Sequence, residues 1–277
     1  MRALAAAAVV VLFGMVMTLA GCGGDGSENK VIVTGSTTIL PIAEVAAEMF
    51  GEENPGVAVL VSGMGSSAGI ESVSNGSSDI GTSSRDLKES EAALGLVDTP
   101  IAYDAIAVIV HPDNPVRELS TIDVRAIFAG VITNWKQVGG PDLEIGLVNR
   151  DEASGTREAF KKIVMDDADF DHGAVVLPGT GQVRSVVAEV PGAIGYISLG
   201  FVNDDVRAVA IDGIEPTEEA VAAGTYPVQR LLHFFTVGQP TGHTAEYIEF
   251  VLSPEVQDTT VREAGFIPWL VGRATDE

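Results

Sequence analysis

Short apolar runs alternate with more polar, helix-forming stretches along most of this chain. Val31-Ile-Val33, Val57 to Val61 and Asp79-Ile-Gly81 read as short strands, with Ile39 to Phe50 and Ala68 to Ser74 as helices between them. Pro41 is compatible with the first helix, because a first-turn N–H has no intrahelical partner to lose. Ile101 to Val110 is a long apolar segment that ends at His111-Pro112. Helices are predicted over Thr121 to Ala129, Thr156 to Met165, Thr244 to Leu252 and Pro254 to Ala264. Asp123 falls near the start of its helix, where the dipole favours an anion. Leu143 to Val148, Gly192 to Tyr196 and Arg230 to Val237 read as strands, and Asn134-Trp135 as a loop. Strands alternating with helices predict a parallel α/β sheet, in which ligands gather at the carboxyl ends of the strands.

Two of these segments divide the chain. Ile101 to Val110 leaves one lobe and enters another, and Arg230 to Val237 crosses back. The expectation is one lobe from residues 30–106 and 237–277 and a second from residues 107–236, with a ligand cleft between them. A length of 277 residues with 46% hydrophobic content and 31 glycines suits two such lobes. No internal repeat interrupts the pattern.

The first 21 residues differ. Met1-Arg2 precedes an uninterrupted apolar run from Ala3 to Ala20, which reads as a signal peptide. The run is close to the length of a membrane span, so an uncleaved anchor is the alternative. Leu19-Ala20-Gly21-Cys22 is similar to a bacterial-type lipobox, whose cysteine is lipidated. Cys22 is the single cysteine of the chain, so an internal disulfide is excluded and lipidation gives an exported thiol a role. Residues 22–29 then form a lipidated polar tether. The expected location is the outer face of the cell membrane.

The formal net charge of −23 argues against a nucleic-acid partner and against long-range steering of anions. Any anion must be captured by local donors, and the sequence offers several. Gly35-Ser36-Thr37-Thr38, Gly65-Ser66-Ser67 and Ser154-Gly155-Thr156 each follow a strand and open a helix. Such turns present hydroxyls and free N–H groups at the positive end of a helix dipole. Ordinary capping by Ser and Thr is the alternative for each one taken alone. Arg150 leads the third turn and adds an always-charged fork suited to oxyanions, and Gly155 allows close approach to the backbone. Ser83-Ser84-Arg85 follows a strand at the same sheet end. Arg85 is either a second cation of the site or a surface arginine paired with Asp86 or Glu89.

Gly65-Ser66-Ser67-Ala68-Gly69 also fits the G-x-S-x-G elbow of serine hydrolases, with Ser67 as nucleophile. It arrives after only two strands, and none of the four histidines stands in a catalytic context. No Walker A lysine pattern and no metal-ligand spacing occurs, so neither a cofactor nor a metal is expected.

The lipobox, the Gly35 and Gly63 to Gly69 turns, Asp79 to Arg85, Asn134-Trp135, Arg150 with Ser154-Gly155-Thr156, and Gly195-Tyr196 together resemble the phosphate-binding proteins of ABC phosphate importers. The resemblance covers nearly the whole chain after the leader. It implies a type II periplasmic-binding fold: two α/β lobes, two hinge strands and phosphate buried between them. It also implies no enzymatic activity, a monomer, and delivery of phosphate to ABC permease subunits. Position by position, Thr37, Thr38 and Ser66 would bind phosphate from one lobe, and Arg150, Ser154, Gly155 and Thr156 from the other. Ser36 and Ser67 are further candidates. Ser84 stands where well-known members carry an aspartate that accepts the phosphate proton, and a second branch of the family has Ser-Arg there. The acceptor is then a serine oxygen, a backbone carbonyl or Asp104, unless Asp104 is a solvated strand-end carboxylate. Another oxyanion (sulfate, molybdate or tungstate), an exported hydrolase, and a sensor or adhesion protein without transport remain the competing readings.

Overall fold

The computed structural model describes residues 29–269; the leader, Cys22 and nearly all of the tether lie outside this range. The chain begins with β1 (Lys30–Gly35), α1 (Leu40–Glu53), β2 (Ala58–Gly63), α2 (Ser66–Ser74) and β3 (Ile80–Ser83). Next comes the 15-residue strand β4 (Leu96–Val110), then β5 (Glu118–Leu119), α3 (Thr121–Phe128), β6 (Gly146–Arg150) and α4 (Gly155–Ile163). They are followed by β7 (Val175–Leu177), α5 (Thr180–Glu189), β8 (Ala193–Ser198), β9 (Arg207–Ala208), β10 (Ala210–Ile211) and α6 (Glu218–Ala222). The last elements are β11 (Gln229–Val237), α7 (Gly242–Val251), α8 (Pro254–Val256) and β12 (Ile267–Pro268).

One continuous sheet runs β2-β1-β3-β11-β4-β8-β6-β7, with β9 and β12 added onto β4. β1 pairs parallel with β2 and β3, and β6 pairs parallel with β7 and β8. The centre departs from the expected parallel sheet, because β11 is antiparallel to both β3 and β4, and β4 is antiparallel to β8. β4 therefore belongs to both halves. Up to Ala105 it pairs with β11, and from Ile106 it pairs with β8.

The expected return to the first half at residue 237 falls at the end of β11. β11 pairs with β4 over Gln229–Val237 and with β3 over His233–Phe235. The strand's apolar run gives no mark of where the crossing ends, and the pairing partner decides it. Three further expectations shift. The strand expected from Leu143 begins at Gly146 and includes Arg150 as its last residue. The second helix opens at Ser66. The helix expected over Pro254 to Ala264 becomes the short α8 followed by a π-helical turn, Gln257–Val261.

Separate apolar clusters flank the sheet. One is built on Val33, Ile42, Phe50, Phe234 and Tyr247 of the first half. Another gathers Phe128, Trp135, Phe160 and Tyr196 of the second half. Phe160 stacks on Tyr196 with ring centres 4.1 Å apart, which anchors α4 to β8. Trp135 is fully buried and donates its indole N–H to the Gly192 carbonyl at 2.9 Å. This rigid packing lets strand ends hold side chains in fixed positions. Among the described residues, no helix is long and apolar enough to cross a membrane.

Candidate functional site

The carboxyl ends of β1, β3 and β6 converge with the N-termini of α1, α2, α4 and α5. The starts of α1 and α2 carry no side-chain cap; in α2 the Ser67 N–H is taken by the Ala153 carbonyl, and in α1 Pro41 has no N–H to offer. The start of α4 is different, because the Ser154 hydroxyl accepts the Arg157 N–H at 3.2 Å. The Ser154 side chain thus acts as an ordinary N-cap. Ser36 is also engaged locally, accepting the Thr38 N–H at 3.2 Å.

Arg150 is 2% exposed, the most enclosed cation of the site. Its Nε donates to the Leu177 carbonyl at 3.2 Å and one Nη to the Pro178 carbonyl at 2.7 Å. The fork also donates to Thr180 Oγ1 at 3.0 Å and Thr37 Oγ1 at 3.2 Å. Burial pushes its pKa down to about 10, which leaves it charged at neutral pH. The backbone N–H of Arg150 donates to Asn149 Oδ1 at 2.8 Å, and the same oxygen receives the Tyr196 hydroxyl. Burial raises the Tyr196 phenol, so that donor stays protonated.

The two halves of the sheet meet around this cation. Thr38 and Thr156 hydroxyls lie 3.2 Å apart, both on side chains 1% exposed. Ser66 Oγ accepts the Ser84 N–H at 3.0 Å, and the two serine hydroxyls are 3.4 Å apart. A Cβ added to Gly155 would stand 2.2 Å from Ser66 Oγ and 2.8 Å from Ser84 Oγ, so only glycine permits this approach. Gly65 has φ +95°, and a Cβ there would meet the Ala153 carbonyl at 2.7 Å. The Ser67 N–H donates to that same carbonyl at 3.1 Å, and Lys88 pairs with Glu158 at 3.2 Å. Thr37, Thr38, Ser66 and Ser84 of one half therefore adjoin Arg150, Gly155 and Thr156 of the other in a closed arrangement.

Two sequence candidates take other roles. Arg85 is buried, but its fork is held by Glu91 at 2.7 and 2.8 Å, with further bonds to the Asp86 carbonyl and Ser67 Oγ. Its charged partner is Glu91 rather than the Asp86 or Glu89 side chain, and its buried Nε has no partner among the described residues. Asp104 is fully buried rather than solvated. Its carboxylate accepts Arg230 Nε at 2.9 Å, Arg230 Nη at 2.7 Å and the Ser198 hydroxyl at 2.7 Å. Burial pushes the Asp104 carboxyl up, while the Arg230 charge and these hydrogen bonds oppose that shift. With its oxygens taken, Asp104 is poorly placed to receive a proton from a ligand.

Arg230 and Thr180 were not legible as site residues. Arg230 reaches the Ser84 carbonyl at 3.0 Å and Thr38 Oγ1 at 3.4 Å. It lies inside an apolar strand with no turn motif beside it. Thr180 opens α5 after Gly179, and that helix start was the one available signal. A cleft of about 610 Å3 opens beside the cage, with Arg85, Lys88, Tyr103, Lys162 and Arg230 in its walls. Ser67 lines up as an acceptor for Arg85, not as a partner of an imidazole.

The chain is similar to several phosphate-binding proteins. Residues 23–255 match the profile of the PBP superfamily domain. The Bacillus subtilis phosphate-binding protein PstS is 35% identical, with 94% of this chain and 92% of the relative covered. A structure described as a phosphate ABC transporter substrate-binding protein from Clostridium perfringens, solved with bound phosphate, is 40% identical. It superposes with a TM-score of 0.83 over 87% of this chain and 99% of the other. An ABC-type phosphate transport receptor from Vibrio cholerae is 34% identical with a TM-score of 0.74, covering 86% and 99% of the two chains. The mixed α/β sheet, the matched superfamily profile and the near full-length identity to PstS show that this chain belongs to the phosphate-binding protein PstS family of the PBP superfamily.

Proposed function

We propose that this protein binds inorganic phosphate outside the cytoplasm and delivers it to ABC permease subunits. The observation that carries the reading is the convergence of one buried guanidinium, Arg150, with hydroxyls from both halves of the sheet. In this reading Arg150, Thr37, Thr38, Ser66, Ser84, Gly155 and Thr156 hold the anion, with Thr180 and Arg230 beside them. Residues 30–106 with 229–269 form one lobe and residues 107–228 the other. The lobes part to admit phosphate and close to replace its hydration shell with fixed donors. No covalent step is needed. The proton of monohydrogen phosphate needs an acceptor in the cage, and an acceptor with no hydrogen of its own is left unmet by sulfate.

Calorimetry of ligand-free protein with phosphate, sulfate and molybdate tests the proposal. Phosphate should bind tightly and the other anions at least about tenfold more weakly, because an unmet acceptor costs about 1–3 kcal/mol. Absence of phosphate binding at neutral pH would overturn the reading, and tighter molybdate or sulfate binding would redirect it to another oxyanion. We further propose a monomer held at the outer membrane face by a lipid on Cys22. Cys22→Ser should release the protein into the medium.

A further inference from the structure

His233 lies on β11, one strand away from the cage, with 2% of its surface exposed. Its Nδ1 is 2.8 Å from Asp98 Oδ1, and its Nε2 is 3.4 Å from Asp86 Oδ1. Nothing in phosphate capture as described uses this triad. Asp98 comes from β4, on the far side of β11 from β3, and is half-exposed. Asp86 comes from the segment after β3 and is 73% exposed. Asp86 stands two positions after Ser84, whose hydroxyl adjoins Ser66 and whose carbonyl receives Arg230.

The surroundings limit what else acts on the imidazole. β3 places Ser83 opposite His233, and Ser83 Oγ bonds both the N–H and the carbonyl of Arg85. α2 packs against β11 with Ile70 and Val73 near Phe235, and the Phe235 ring stacks on the imidazole at 5.4 Å. The charged groups facing the ring are thus Asp98 and Asp86, while Arg85 and Lys162 act on Asp86 from its other surroundings.

We propose that His233, as an imidazolium held between Asp98 and Asp86, is a positioning residue for anion binding. It ties the segment after β3 to the central strands and so fixes the Ser84 corner of the cage. The proposal rests on the phosphate-binding reading for its affinity consequence. An imidazole ring carries two N–H donors only when protonated. On losing one proton it keeps a bond to one carboxylate and turns a lone pair toward the other. Burial works against the charged ring, but the two carboxylates outweigh it and leave the His233 pKa raised. Asp86 is lowered in turn, chiefly by its 3.4 Å contact with the His233 ring, a charge contact rather than a well-directed hydrogen bond.

Asp86→Asn tests this without disturbing the core, because the carboxylate is at the surface. Below the His233 pKa, phosphate should bind the variant roughly two- to fivefold more weakly than wild type, the scale of an exposed ion pair. The ratio of the two dissociation constants should fall toward one as pH rises through the His233 titration. Taking the ratio cancels the titration of phosphate itself. In a His233→Gln background, Asp86→Asn should cost nothing further. A ratio of one throughout, or a ratio unchanged with pH, would overturn the proposal. NMR titration of the imidazole reads the triad without ligand. The His233 pKa should stand above the ordinary value and fall in Asp86→Asn. If it does so while wild type binds no phosphate, the functional reading fails and the triad stands.

Discussion

The Arg150 guanidinium donates to the Thr37 hydroxyl at 3.2 Å, although 113 residues separate the two in sequence. One cation thus touches a hydroxyl that the other half of the sheet supplies, and a ligand seated there would gain its charge-assisted bonds only on closure. Charge-assisted bonds contribute about 1.5–3 kcal/mol each and neutral ones about 0.5–1.5. Arg150→Ala should therefore weaken phosphate binding by roughly two orders of magnitude or more, against about tenfold or less for Thr37→Val. Arg150→Lys should rescue little, because an ammonium lacks the fork. Calorimetry on the three variants checks the order, and Arg150→Ala with wild-type affinity would remove the assignment.

Gly155 tests closure separately from charge. Its missing Cβ leaves room for Ser66 Oγ, which would otherwise stand 2.2 Å away. Gly155→Ala should leave each half folded and hold the halves apart. Overpacking of this kind costs about 1–3 kcal/mol, so phosphate affinity should fall by roughly ten- to a hundredfold. Small-angle scattering with saturating phosphate should show a more open particle than wild type. An unchanged affinity would mean that the halves need not meet at this point.

Arg85 adjoins Ser84 in sequence, and its fork is paired with Glu91. Arg85→Gln should accordingly lower phosphate affinity by no more than about fivefold, since only its hydrogen bond to Ser67 touches a candidate turn. It should lower thermal stability more clearly, because Glu91 then loses its partner. A loss of affinity as large as that of Arg150→Ala would restore Arg85 as a ligand.

What was legible in the sequence had a local signature. Gly35 to Thr38, Ser66 and Ser154 to Thr156 announce strand-to-helix turns through residue type alone, and Arg150 stands four positions before one of them. Arg230 and Thr180 had no such mark, because their roles come from strand order and helix convergence. Arg230 meets Asp104 only because β11 inserts beside β4, an antiparallel pairing that alternating elements do not reveal. Apolar periodicity identifies a strand but not the neighbour that it pairs with.

The Asp86–His233 contact predicts a stability window in pH. His233 has its folded pKa raised, so its contribution is fully present below its unfolded value and is lost as pH rises through the folded one. Asp86 has its folded pKa lowered, so its contribution is present above its unfolded value and is lost as pH falls through the folded one. The urea midpoint of wild type should exceed that of Asp86→Asn most around pH 5 to 6, roughly between the ordinary Asp and His values. The difference should shrink on both sides. A constant difference from acid to alkaline pH would show that the carboxylate acts there without the imidazole.

Asp104 and Arg230 offer the sharpest test of the interior. Both are buried, and the carboxylate receives two bonds from the guanidinium. Removing one partner leaves the other charge uncompensated, which costs about 3–5 kcal/mol. Asp104→Asn should therefore lower urea stability by roughly that amount, even though it keeps the size and polarity of the side chain. Replacing the pair together, as Asp104→Leu with Arg230→Met, should cost far less than the sum of the single changes. Phosphate affinity separates structure from function in the double variant. Arg230 also reaches Thr38 and the Ser84 carbonyl, so a stable double variant should still bind phosphate at least about tenfold more weakly, the loss of one charge-assisted bond. Native-like affinity in that variant would confine the pair to holding the strands together.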